Sequence, residues 1–342
     1  MPLSIGQTVN GYELLDFLES SSKRVSYRAR NLHSQRIEQL QLLPDSVRHD
    51  PERSARFFRE SRILTSLQHP NILTCLGVVE LGGHLAIAVE AIEAVTLADR
   101  LELGPMETEE AVRSILQVLA AVEAAHAAGV LHREISAVNI LITPERLVKL
   151  TGFSAAKTAA DPSVTRAGTL FGSALYAAPE IFHGITALDP RIDVYAIGCV
   201  FYALVTGRPP FDQKTEYELM MAHVHQSPVP PSLLNPAVNG LLDAVILKAL
   251  SKDPAARYQS AREFYHAILH PTSLADSADP LQMRNALDEP PIPSDPTAGP
   301  ANVTGPLPPA VRELSLSPAV LALSAGLFFL LAALFVLVRN NA

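Results

Sequence analysis

Twenty consecutive residues near the C-terminus, Ala319–Val338, read AVLALSAGLFFLLAALFVLV and carry no charge. As a helix rising about 1.5 Å per residue, such a run crosses the roughly 30 Å hydrocarbon core of a bilayer. A helix in a water-soluble domain needs a polar face unless neighbours cover it all round. Here Ser324 is the only polar side chain. Pro318 precedes the run and Arg339 follows it, so one membrane-spanning helix is expected over 318–339, with 340–342 as a short tail. The opening MPLSIGQTVNGYELL has neither the basic start nor the apolar stretch of a secretory leader. Together these features predict a single-pass, tail-anchored membrane protein with its folded part in the cytoplasm. Arg312 and Arg339 flank opposite ends of the run, so charge bias adds little to that orientation.

Ahead of the apolar run, residues 271–317 form a stretch that is poor in large apolar side chains. Between 271 and 314 lie ten of the chain's 27 prolines, six acids and two arginines. Such a composition predicts a disordered linker, and its acids argue against a polybasic lipid-binding strip. The net charge of −8 gives no support to a nucleic-acid surface. Cys75 and Cys199 sit in separate apolar runs and are expected to be buried free thiols.

Residues 12–270 carry the folded pattern, with 1–11 as an N-terminal extension. Strand-like segments come first, at Tyr12–Phe17, Val25–Arg30, Ile37–Leu43, Leu73–Val79 and Leu85–Val89. One helix interrupts them, with Asp50 as its cap, Pro51 in its first turn and Phe57, Phe58, Ile63, Leu64 and Leu67 on its apolar faces. After Thr96 the pattern is mainly helical. Thr108 opens one helix. Asp193 to Gly207 forms a nearly uncharged one that fits a core, and Ser260 with Glu263 makes a capping box for the last. A small sheet with one helix followed by a helical region predicts an α+β, two-lobed design with a cleft between lobes. The small β-rich lobe is placed at 12–92 and the large helical lobe at 93–270.

In register over 12–270, the chain resembles the eukaryotic-like (Hanks-type) serine/threonine protein kinases of bacteria. YELLDFLESSSKRVSYRAR is similar to the first two strands and the phosphate-covering loop, RIEQLQLLP to the third strand, and RFFRESRILTSLQHPNI to the helix bearing an ion-pairing glutamate, here Glu60. HREISAVN resembles the catalytic loop, LTGFS the metal loop, and GSALYAAPE the end of the activation segment. DVYAIGCVFYALVTGRPPF resembles the central helix, and KDPAARYQSAREF holds the late arginine, Arg257. The resemblance implies a bilobal protein-kinase-like fold.

It also implies a list of departures from the family's chemistry. Glu19, Ser21 and Arg24 stand at the three glycine positions of the phosphate loop, and Gln41 stands for the strand lysine that holds phosphates and pairs with Glu60. Glu134 stands for the catalytic aspartate and Ser136 for the lysine beside it. Asn139, a metal ligand in the family, is kept, but Gly152 replaces the metal-binding aspartate. Residues with structural roles are retained: Arg133, Phe153, Glu180, Asp193 and Arg257, with Glu180 and Arg257 expected to pair. Arg133 is expected to be structural, with reception of a phosphate at Thr165 or Thr169 as the alternative that the resemblance implies. The adenine end is expected at the inter-lobe hinge, Glu90 to Ile92, with Val89 as gatekeeper and Ala29 and Leu141 as walls.

The expectation is therefore a degenerate kinase, a pseudokinase acting through protein partners, with no cofactor required, weak ATP binding at most and no Mg²⁺. The alternatives are an atypical active kinase, in which Lys23 of the phosphate loop meets Glu60 in place of the strand lysine, and a sensor that binds nucleotide without transferring phosphate.

Overall fold

The computed structural model describes residues 3–20, 24–43, 50–158, 174–182 and 189–271. Lys23, Thr165, Thr169, the linker and the apolar run at 319–338 lie outside the described residues. Among the described residues, no helix is long and apolar enough to cross a membrane.

The amino-terminal lobe is a six-stranded antiparallel sheet in the order β1-β2-β3-β4-β6-β5. Its strands are β1 (Thr8–Val9), β2 (Tyr12–Ser20), β3 (Val25–Asn31), β4 (Ile37–Leu42), β5 (Cys75–Leu81) and β6 (His84–Glu90). The segment expected as an extension thus supplies an edge strand, with Val9 opposite Tyr12. Alternation sorts the strands onto two faces. Leu14, Tyr27, Ala29, Leu40, Leu42, Ala86 and Ala88 close one core, while Ile87 and Val89 pack with Phe57 and Leu73 on the other face. Helix α1 (Pro51–Ser66) crosses that second face. Asp50 caps it as expected, accepting the Arg53 N–H on Oδ1 at 3.2 Å.

The carboxy-terminal lobe begins with a three-stranded sheet, β7 (Val95–Thr96), β8 (Ile140–Ile142) and β9 (Val148–Leu150), in that order. Its helices are α2 (Leu97–Leu101), α3 (Thr108–Ala127), α4 (Pro179–Phe182), α5 (Arg191–Thr206), α6 (Glu216–His225), α7 (Gly240–Ala249) and α8 (Ala261–Leu269). Helix α5 is the axis of the lobe. Every residue from Ile192 to Val205 is buried, which explains its lack of a polar face. It stops at Gly207, whose φ of 79° is the left-handed value that favours glycine. At the start of α8, Ser260 Oγ accepts the Glu263 N–H at 3.0 Å. Glu263 returns to the Gln259 N–H at 2.7 Å, one residue earlier than a capping box requires. Cys199 is buried and free, whereas Cys75 is free but only half-buried.

Candidate functional site

The roof of the cleft is the face of β3, β4 and β6 that carries Ser26, Gln41 and Ile87, paired across the strands in that order. Residues an even number apart on a strand share a face. Arg24, two before Ser26, therefore reaches the same face as Gln41. Its guanidinium donates from Nη1 to Gln41 Oε1 and lies 2.6 Å from Glu60 Oε1 through Nη2. Glu60 is 3% exposed and Arg24 20%. The helix glutamate, which lacks its strand lysine, is thus paired after all. Its cation is Arg24, at the third glycine position of the loop, and Gln41 steadies that cation as an acceptor.

The floor is built on Asp193 of α5. Its Oδ2 accepts the His132 N–H at 2.9 Å, its Oδ1 accepts the Arg133 N–H at 2.7 Å, and His126 Nε2 stands 2.8 Å from Oδ2. Burial alone would raise the Asp193 carboxyl. The hydrogen bond and charge of His126, the charge of His132 and the Arg133 N–H outweigh burial and hold it below the usual carboxylate range. The same grip holds Arg133 at a φ of 65°, in the left-handed region. His132 is fully buried, with Nε2 at 2.9 Å from Thr151 O and its ring 4.5 Å from that of Phe153.

Between these loops the chemistry of the family is altered in shape as well as in charge. Glu134 Oε2 accepts from Ser154 Oγ at 3.2 Å, so the carboxylate is turned toward the metal loop. Ser136 is buried in extended backbone, and its carbonyl accepts the Asn139 N–H at 3.0 Å. Asn139 donates from Nδ2 to the Glu134 carbonyl at 2.8 Å, and its own carbonyl accepts the Thr151 N–H at 2.9 Å. Gly152 has a φ of 80°. A Cβ built there would lie 2.4 Å from both Cγ and Oδ1 of Asn139, closer than atoms can pack. The Asn139 amide fills the space that a side chain at 152 would need.

An Mg²⁺ ion at this point would require oxygen ligands in near-octahedral array, with carboxylates among them. The metal loop offers no carboxylate at 152, and the one amide ligand retained from the family is packed into its place. Among the described residues, no three His, Cys, Asp or Glu side chains cluster as metal ligands. With glycine at 152, the residues present do not reproduce the family's metal-ligand pair.

At the hinge, Glu90 Oε1 accepts from Lys149 Nζ at 2.7 Å and from the Thr74 N–H at 2.7 Å. Burial would raise the Glu90 carboxyl, and these two donors more than offset it, leaving it below its ordinary value. Val89 is buried, Ile92 packs against the cluster of Phe57, Leu73, Ile87 and Val89, and Leu141 is half-buried on β8. Ala29 does not line the cleft. Opposite Glu38 and on the face of Leu40, it belongs to the other core, and Ser26 takes the roof position. Away from the cleft, Arg257 makes the expected pair with Glu180, bidentate at 2.7 and 2.8 Å and buried.

The fold and the placement of these loops define a two-lobed, protein-kinase-like scaffold. The chain belongs to the protein kinase family: the protein kinase domain matches residues 23–271. Serine/threonine-protein kinase PknB of Mycobacterium tuberculosis is 35% identical over 259 residues, covering 74% of this chain and 41% of that protein. PknJ of the same organism is 34% identical over 271 residues, covering 78% and 46%. The crystal structure of the M. tuberculosis PknI kinase domain superimposes with a TM-score of 0.61 at 27% identity, covering 80% of this chain and all of that one. The chain thus spans less than half the length of the curated relatives it matches.

Proposed function

We propose that the chain is a membrane-anchored pseudokinase whose kinase-like domain acts in the cytoplasm by binding protein partners. The observation that carries this reading is the metal loop itself, which has glycine at 152 in place of a carboxylate and packs the Asn139 amide 2.4 Å from where a Cβ there would lie. Phosphoryl transfer draws much of its transition-state stabilisation from metal and cation charge at that point. The apolar run 319–338 supports the anchor, and the acidic net charge argues against a nucleic-acid partner.

ATP is expected to bind weakly or not at all, and Mg²⁺ to add nothing. Thermal melts of the full chain with ATP, with and without Mg²⁺, test this directly. A ligand at 100 times its Kd stabilises by about 2.7 kcal/mol, a shift that melting reads easily. Strong stabilisation by ATP that appears only with Mg²⁺ would overturn the reading. For the anchor, cell fractionation should find the full chain in membranes and a chain ending at Leu314 in the soluble fraction. Equal partition of the two would remove the anchor from the proposal.

A second reading, an atypical active kinase, is favoured by one observation: the Arg24–Glu60 pair restores a cation beside the helix glutamate. Autophosphorylation that is lost in Glu134→Ala would establish it in place of the first.

A further inference from the structure

We propose that His223 is an acid-released pin: while neutral it holds helix α6 against α5 and the Ala174–Leu175 turn, and once charged it frees α6 while the rest of the lobe stays folded. His223 lies in the last turn of α6 and is 0% exposed. Its ring sits among those of Phe211, Tyr195 and Phe182, at centroid distances of 4.9, 5.8 and 6.1 Å. Nδ1 stands 2.9 Å from the Tyr195 hydroxyl, and Nε2 has no partner in hydrogen-bonding geometry among the described residues. An imidazolium donates from both nitrogens. Tyr195 would then have to accept, and Nε2–H would lack a well-placed acceptor inside a buried site.

The surrounding charges sharpen the effect. Lys252, between α7 and α8, donates from Nζ to the Ala222 and His223 carbonyls at 3.3 and 2.6 Å, so a cation already sits at this end of α6. Arg257 lies behind Tyr195, 4.8 Å from its ring, and takes Glu180 of α4. On α5, Asp193 holds the catalytic loop and Arg191 holds Asp189. Tyr176, beside the turn, stays a neutral phenol, and Asp212 and Asp253 on the flanking turns are exposed. On α6 itself, Glu218 caps Thr215, and Glu216 and His225 are exposed. Burial first, then the Lys252 charge, push the His223 imidazole down to about 3, against the pull of the Leu175 backbone. An opened ring titrates near its ordinary 6.5, so the opened form takes the extra proton and the closed form does not. Closure is fully favoured above about pH 6.5 and is lost as pH falls toward 3. The release is local because Ala174, Phe211, Leu219 and Ala222 form a cluster of their own, apart from the main core on α3, α5, α7 and α8. A segment seated on a small separate cluster opens without the whole lobe. Its departure bares Ala174 and Leu175, at the closing end of the activation segment.

Hydrogen–deuterium exchange on the full chain in detergent micelles, corrected for the intrinsic pH dependence of exchange, tests the pin. In wild type, protection across Glu216–His225 should fall about 30-fold between pH 7 and pH 5, while α3 and α5 keep theirs. In His223→Gln, which carries no titrating ring, α6 protection should be the same at both pH values. If His223→Gln does not fold, the wild-type imidazole followed by NMR decides: the ring should take its proton only as α6 opens. Wild-type α6 protection that is unchanged at pH 5, an equal fall in His223→Gln, or a fall shared by α3 and α5 overturns the pin. So does a ring that gains its proton near pH 6.5 with α6 still protected.

Discussion

Arg257→Ala is expected to lower stability by about 3–5 kcal/mol, the usual cost of leaving one partner of a buried ion pair alone. Glu180 would keep its charge in a site that is 7% exposed, facing an Arg257 position that is fully buried. Arg257 also donates to the carbonyls of Ser251, Lys252 and Arg191, so its removal orphans three acceptors besides the carboxylate. Glu180→Gln removes the pair but leaves those three bonds, and should cost less. For a domain of this size, a loss of 3–5 kcal/mol corresponds to a fall in Tm of roughly 6–20 °C. Calorimetry on the three proteins would show the order. An Arg257→Ala chain within about 1 kcal/mol of wild type would mean the pair is ornamental to the fold.

Gly152→Asp, the substitution that would restore the family's metal ligand in name, is expected to destabilise the chain by about 1–3 kcal/mol. A residue with a Cβ is strained at a φ of 80°, and the Cβ also meets the Asn139 amide at 2.4 Å, so that side chain has to turn aside. Asn139→Gly in the same chain removes the obstruction and should recover part of the loss, leaving the backbone term. Denaturant melts give the stabilities, and titration calorimetry gives Mg²⁺ affinity. No gain in Mg²⁺ binding is expected from Gly152→Asp alone. A variant as stable as wild type that also binds Mg²⁺ would show that the loop opens readily, and the pseudokinase reading would lose its main support.

The order of elements was legible because it rests on local signals. Asp50, Gly207 and the unbroken apolar run of α5 act on their own segments, and the structure realises each of them. The Glu180–Arg257 pair was legible through resemblance alone, since 77 residues separate its members. The partner of Glu60 was missed. Sequence reading left the glutamate without its usual cation and offered Lys23 as the replacement, although strand parity held the better answer. Gln41 pairs with Ser26, and an even step back from Ser26 arrives at Arg24 on the same face. The same parity moves Ala29 off the cleft. The closure of Gly152 against Asn139 had no signal in sequence. It depends on a left-handed backbone and on the direction of one amide, and neither follows from composition or spacing.

Asp193 carries a wider consequence. It fixes the start of the catalytic loop by gripping main-chain N–H groups of residues 132 and 133, and it does so from within a buried helix. Main-chain N–H groups survive a change of side chain. That grip does not depend on which side chains stand at 134 and 136, so substitutions there need not undo it. Selection can thus relax on chemistry without relaxing on architecture, and a lineage can pass from transferring phosphate to binding partners through sequences that remain folded at each step.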